Sequence, residues 1–306
     1  MACPYLNIQW VTQGEIPGFG IFHSFCGLTE GRPYSDMIME SCLNTAIEIA
    51  REAGGLLLQH FRQPLEITYK RRSDLVTEAD RRSETLIVER LRSHFPDHAI
   101  VAEEGGGQKT GSDYCWYVDP LDGTTNFVHG FPVFSVTLGL TCRGEVVAGV
   151  VYDPTRDELF TAERGAGAFL NSQRLRVSNH GDLAECLVAT GFPPFATNHE
   201  LNVEFYFSFT QLTHGIRRAG SAALDLCSVA AGRFDGFWEL KLNPWDKAAG
   251  TLLVAEAGGL VTGITGKPFN LLGDDIFASN GLVHDQMLRV FSEILEHRGS
   301  GGVRHD

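Results

Sequence analysis

The sequence predicts an α/β protein. Three observations carry the prediction: helix-period apolar stripes near the start, short β-rich runs separated by turns in the middle, and alternating strand-like and helix-like segments towards the end. Residues 1–36 are rich in Gly, Pro and aromatics without a sustained period. They read as an N-terminal extension, either an arm or leader sequence upstream of Met37 and Met39. Helical spacing starts at Ser35-Asp36, a candidate N-cap, and continues through Ile38, Cys42, Ala46, Ile49 and Ala53. A second helix runs from Thr77–Asp80 to His94, with Ile87, Leu91 and Phe95 as its apolar stripe.

Two short strands follow, at 99–104 and 114–119. The runs "FPVFSVTLGL", "GEVVAGVVYD", "DELFTAER" and "GAFLN" then read as an antiparallel meander, with turns at Arg143-Gly144 and Asp153-Pro154. Beyond residue 182 the expected order is strand ("CLVATG"), helix (198–213), helix ("GSAALDLCSVAAG") and strand ("FDGFWEL"). Next comes a helix opened by Pro244 and closed by Gly258-Gly259, then a strand ("IFASN") and a last helix over 284–297. The expected division is a first subdomain over 37–182, a second over 183–297, and a disordered tail over 298–306.

The chain of 306 residues carries a net charge of −13, which disfavours direct, non-specific nucleic-acid binding. An anionic substrate would need a local positive source, such as metal ions, a helix N-terminus or a few Arg and Lys. The seven cysteines include no C-x-x-C pair and read as free thiols in a reducing compartment. The longest apolar runs are about seven residues, far below the roughly 18–20 that span a bilayer. No basic, apolar leader opens the chain, so the expected location is cytoplasmic, with no membrane contact.

Four acidic clusters fall at predicted element edges: "DLVTEAD" (74–80), "AEEGG" (102–106), "DPLDGT" (119–124) and "PWD" (244–246). Each has an ordinary reading. Asp80 suits a solvated helix face, and Glu103 with Glu104 an exposed strand end. Asp119 and Asp122 have nearly capping-box spacing, and Asp246 suits a first helical turn. Together they read differently. Two carboxylates three residues apart at the edge of a sheet repel unless protonated or bridged by cations. Oxygen donors without His or Cys suit Mg²⁺. Gly123 allows close backbone approach, and Thr124 offers a hydroxyl and an amide at a helix start, where phosphate binds well.

The segments "DLVTEAD", "VAEEGG", "WYVDPLDGTTNFVHGFPVFSVTLGL", "GSAALDL" and "NPWDKAAGTLLVAEAGG" resemble the inositol monophosphatase family, in that family's order, over residues 37–297. The resemblance implies the layered αβαβα fold shared with fructose-1,6-bisphosphatase, a homodimer, and lithium sensitivity. It implies two to three Mg²⁺ ions per subunit, held by Glu103, Asp119, Asp122, Asp246 and the Leu121 carbonyl, mostly in the first subdomain. Gly123 and Thr124 amides would take phosphate oxygens. Asp80 would orient the Thr124 hydroxyl, which with Glu103 would position the attacking water.

The implied activity is hydrolysis of inositol 1-phosphate or a similar polyol or sugar phosphate. Relatives instead hydrolyse fructose-1,6-bisphosphate, histidinol phosphate or 3′-phosphoadenosine 5′-phosphate, or contact the transcription machinery as regulatory protein binders. Substrate contacts implied by the family are Gly220, Ser221, Ala222 and Glu239. Arg217 reads either as a substrate contact or as a surface residue, and Lys70 lies near the family's mobile-loop lysine. Lys241 and Asn243 replace what is often Gly and a different polar residue, which leaves inositol specificity open. "GAGAF" (165–169) reads as a turn between strands, His129 as a structural histidine, and Trp116, Trp238 and Trp245 as core or site-wall residues.

Overall fold

The computed structural model describes residues 34–63, 67–71, 74–192 and 200–300, so most of the predicted N-terminal extension and the end of the tail lie outside the described residues. In chain order the elements are α1 (Tyr34–His60), β1 (Ile67–Arg71), β2 (Asp74–Thr77), α2 (Glu78–His94), β3 (Ala99–Ala102), β4 (Tyr114–Asp122) and α3 (Thr124–Val128). The meander is β5 (Ser135–Cys142), β6 (Glu145–Asp153), β7 (Glu158–Glu163), β8 (Gly167–Leu170) and β9 (Gln173–Arg174). Then come β10 (Leu187–Thr190), α4 (Glu200–Leu212), β11 (Gly215–Arg217), α5 (Ala222–Ala230), β12 (Gly236–Leu240), α6 (Pro244–Glu256), β13 (Leu260–Thr262), β14 (Asp275–Ser279) and α7 (His284–Ser300). The last helix thus runs three residues past its expected end at 297, to Ser300.

Strands β3 to β9 form one seven-stranded sheet in sequence order, and β11-β10-β12-β14-β13 form a five-stranded mixed sheet. The chain stacks as five layers. Helices α1 and α2 cover one face of the larger sheet, and α5 with α6 lie between the two sheets. Helices α4 and α7 cover the far face of the smaller sheet. This is the αβαβα order that the family resemblance implies.

Local chemistry explains the boundaries. At the start of α2, Thr77 is extended (φ −112°, ψ 168°) and its hydroxyl accepts from the Ala79 N–H, while Asp80 accepts from the Thr77 N–H, a reciprocal capping box. At the β5–β6 turn Arg143 (φ 52°) and Gly144 (φ 84°) are both left-handed, as a tight hairpin demands. The "GAGAF" turn is closed by the Glu256 carboxylate, which accepts from the Gly165 and Gly167 N–H groups at 2.8 and 2.9 Å. Its amides are therefore already satisfied within the chain. His129 is exposed, and its backbone N–H bonds to the Thr125 carbonyl at the end of α3. Trp116 and Trp238 are fully buried. Cys42, Cys142, Cys186 and Cys227 are buried free thiols, and Cys115 is a half-buried one.

The core between the five-stranded sheet and helices α4 and α7 is built on aromatics. Phe291 of α7 meets Phe205, Phe209, Trp238 and Phe277 with ring centroids 4.9–5.9 Å apart, mostly edge to face. Phe291→Ala should destabilise the chain by about 3–5 kcal/mol in urea unfolding. A loss below about 1 kcal/mol would contradict this packing of α7.

Candidate active site

The candidate site forms where β4 ends. In a regular strand, residues three apart point to opposite faces. Asp119 pairs with Thr137 and Asp122 with Ser135, so three steps on β4 match two on β5. This bulge carries Pro120, which has no N–H to lose from the ladder. Thr137 and Ser135 share a face, so Asp119 and Asp122 do too. The sequence reading ended this strand at 119; the structure continues it through the bulge to Asp122.

Each carboxylate is held by local hydrogen bonds. Asp119 Oδ1 accepts from the Leu121 N–H at 3.0 Å. Asp122 Oδ2 accepts from Ser221 Oγ at 2.5 Å and from the Ala223 N–H at 2.9 Å, at the start of α5. Asp246, in the first turn of α6, accepts from the Asn243 N–H at 2.7 Å. Glu103 follows β3, and its N–H bonds to the Val118 carbonyl at 3.2 Å.

These acids feel one another. Burial first, then the charges of Glu103, Asp122 and Asp246, push Asp119 well above the carboxylate range. Asp246 is pushed up in the same way, by burial and then by Glu103 and Asp122. Burial raises Asp122 to about 6 despite its hydrogen bonds from Ser221 and Ala223. Asp80 is buried and also raised to about 6, mainly by burial.

The turn after β4 brings the remaining groups together. Thr124 Oγ lies 3.0 Å from Asp80 Oδ1 and 3.1 Å from the Leu121 carbonyl. It has one proton, and a carboxylate is the stronger acceptor, which leaves the Leu121 carbonyl available to a cation. Gly123 (φ 96°) and Thr124 open α3, where first-turn N–H groups have no intrahelical acceptor. A Cβ on Gly123 would lie 2.9 Å from the Val133 carbonyl oxygen and 3.3 Å from that of Gly220. The Asn126 amide spans the gap, donating to the Val133 and Ala219 carbonyls, both at 2.8 Å. It ties the Gly220-Ser221-Ala222 turn to the Gly123 turn.

Beside them Glu239 is buried and raised well above the usual range. The causes are burial and then the charges of Asp225, Asp246 and Asp122, opposed by Arg218. Arg218 is therefore the arginine whose charge reaches Glu239. Arg217 turns back, its guanidinium donating to the Ile216 carbonyl at 3.2 Å. Lys70 lies in β1, and its side chain is outside the described residues. Lys241 adopts φ 65°, which explains why glycine suits this position, and Asn243 caps α6.

The sequence reading missed Asn126, Arg218, Ser83, Glu84 and Lys247. Buried Lys247 donates to the Gly273 carbonyl, next to Asp246. Its presence inside an otherwise apolar helix run was the available signal.

The donors fit a hard divalent cation: carboxylates and one carbonyl, without His or Cys. Among the described residues, the buried side-chain polar atoms without a partner are Ser135 Oγ, Thr137 Oγ1, Asp225 Oδ1 and Trp245 Nε1. Three of them border this site: two are the cross-strand partners of Asp122 and Asp119, and one feels the Asp122 charge. Polarity concentrated here exceeds what the chain's own bonds satisfy. No three Asp, Glu, His or Cys side chains among the described residues close into a cage. Mg²⁺ does not need one, because it keeps waters and takes one or two carboxylates plus substrate phosphate.

Layers, bulged strand and acid cluster are those of a phosphatase. The sequence pattern of the inositol monophosphatase family matches residues 38–296, and the chain belongs to that family and is a phosphatase enzyme. It is 48% identical over 251 residues to a Nus factor SuhB of Pseudomonas aeruginosa, covering 79% of this chain and 92% of that one. It is 41% identical over 267 residues to an inositol-1-monophosphatase of Mesorhizobium japonicum, covering 86% and 100%. Its fold matches the crystal structure of extragenic suppressor protein suhB from Bartonella henselae with a TM-score of 0.80 at 41% identity, covering 83% of this chain and 99% of that one.

Two outcomes are expected. Gly123→Ala should cost about 2 kcal/mol or more, combining left-handed strain with a backbone clash, as read by urea unfolding. Without metal, folded Asp122 holds a proton between about pH 4 and 6 that the unfolded chain has released, so stability from this group falls as pH rises through that window. In EDTA, Asp122→Asn should therefore flatten part of the Tm decrease between pH 4 and 7; an unchanged slope would contradict the assignment.

Proposed function

We propose that this phosphatase is a Mg²⁺-dependent phosphomonoesterase acting on inositol 1-phosphate or a similar polyol or sugar phosphate. The observation that carries the reading is the meeting of Asp119, Asp122 and Asp246 with the Gly123-Thr124 turn, under mutual charge repulsion. Glu103, Asp119, Asp122, Asp246 and the Leu121 carbonyl would hold two to three ions. Bound Mg²⁺ would lower the pKa of a coordinated water, neutralise the phosphate and stabilise the leaving alkoxide.

The chain's own groups do the positioning. Thr124 Oγ–H donates its hydrogen bond to Asp80, so a lone pair of its oxygen would accept one hydrogen of the attacking water. Glu103 accepts the other, and the water's lone pair is left facing phosphorus. Negative charge then grows on oxygens that face the Gly123 and Thr124 amides. Glu239, with Ser221 and Ala222 nearby, would accept hydroxyl hydrogens of a polyol, and Arg218 would meet further polar groups of the substrate. Fructose-1,6-bisphosphate, histidinol phosphate and 3′-phosphoadenosine 5′-phosphate are the competing substrates.

A second role rests on the relative named as a Nus factor: contact with protein partners, independent of hydrolysis. Phosphate release measured on a panel of sugar, polyol and nucleotide monophosphates, with Mg²⁺ and with EDTA, tests the first reading. Release should need Mg²⁺, and Asp122→Asn should slow it by at least ~10²-fold. Silence across the panel would overturn it. If the same variant recovers partners unchanged in a pull-down, the two roles are separate.

A further inference from the structure

One face of α2 reaches three separate parts of the site. Asp80, Ser83 and Glu84 stand at i, i+3 and i+4, which share one side of a helix, and all three are buried. Asp80 accepts from Thr124 Oγ. Ser83 Oγ donates to the Pro120 carbonyl at 2.9 Å, on the bulge between Asp119 and Leu121. Glu84 uses both oxygens on the loop that follows Glu103, accepting from the Glu104 N–H at 2.6 Å and from the Gly106 N–H at 2.7 Å.

The loop is shaped to this contact. Gly105 takes φ 95°, and a Cβ on Gly106 would lie 2.7 Å from Glu84 Oε1. Two turns further along α2, Arg92 donates to the Gly106 and Gly107 carbonyls at 2.9 and 3.2 Å. One helix thus grips the loop by both its N–H and its C=O groups. A carboxylate that receives two short amide bonds is a fixed anchor, because these are charge-assisted.

We propose that Glu84 and Ser83 are positioning residues that set Mg²⁺ affinity. Glu84 fixes the backbone that aims Glu103, and Ser83 fixes the carbonyl next to Leu121. Neither touches substrate or ion; both act through the ligand-bearing backbone. The inference rests on the metal reading above and goes beyond it by assigning the aim of two ligands to a helix that supplies none of them.

The test uses the full chain and two readouts: Tm against Mg²⁺ concentration, starting from EDTA, and the Mg²⁺ concentration that half-saturates phosphate release. Glu84→Gln should raise both half-points by about tenfold or more, the scale of a lost hydrogen bond to a charged group. The rate at saturating Mg²⁺ should fall much less. Gly106→Ala disturbs the same contact from the loop side and should move the half-points in the same direction, which keeps the test decisive if Glu84→Gln does not fold.

Glu256→Gln is the control. It removes the same carboxylate-to-amide chemistry at the Gly165–Gly167 turn and should lower Tm in EDTA without moving either half-point. If Glu84→Gln and Gly106→Ala behave like Glu256→Gln, the role of Glu84 is only structural and the inference fails. A wild-type chain whose Tm ignores Mg²⁺ overturns the metal reading itself, and the inference with it.

Discussion

Like charges in a buried place repel, and a chain that folds them together must supply a reason for doing so. Here the crowding starts from one irregularity: the extra residue in β4 that turns Asp119 and Asp122 to the same side. Everything around the strand end answers to that pair. Helix α5 presents Ser221 Oγ and the Ala223 N–H to Asp122, and α6 adds Asp246. These bonds offset part of the desolvation cost but leave the charges raised and interacting. Such a cluster is an electrostatic spring, which a bound cation would relax.

The five layers give this spring a stiff frame. The larger sheet lies between α1–α2 and α5–α6, so both helix pairs meet the end of β4 from opposite sides. Chain segments distant in sequence, near residues 80, 103, 122, 221 and 246, are thereby fixed by packing and not by local propensity. The overall acidity of the chain fits this arrangement. A negative field that repels a phosphate would also draw in the divalent ions of the proposed reading, and these would reverse the sign locally.

Much of this was legible in the sequence, for identifiable reasons. Helix α2 showed itself through Thr77, Asp80 and a clean apolar period, and α6 through Pro244 and Gly258-Gly259. Both signals are local. The acid clusters were legible because four of them recur at element edges. What escaped depends on tertiary contact. The bulge at Pro120 is a matter of register with β5, which no spacing in β4 alone reveals. Ser83 and Glu84 looked like ordinary polar residues of a charged helix until the loop they hold was in view. Arg218 escaped because only the fold shows that its charge acts on Glu239 while Arg217 donates back to the Ile216 carbonyl. The antiparallel β1–β2 hairpin was missed because its strands, of five and four residues, are short and charged near the turn, although Ile67-Thr68-Tyr69-Lys70 alternates apolar and polar.

The close approach of Glu239 to β10 has a different kind of consequence. Its carboxylate occupies the space where any side chain on Gly191 would begin. The two positions are therefore coupled sterically. A lineage that gains even a methyl group at 191 must displace or shorten the acid at 239, the group proposed above to accept a polyol hydroxyl. Divergence of substrate preference among related chains would then be recorded as paired change at these two positions, one of which carries no functional group at all.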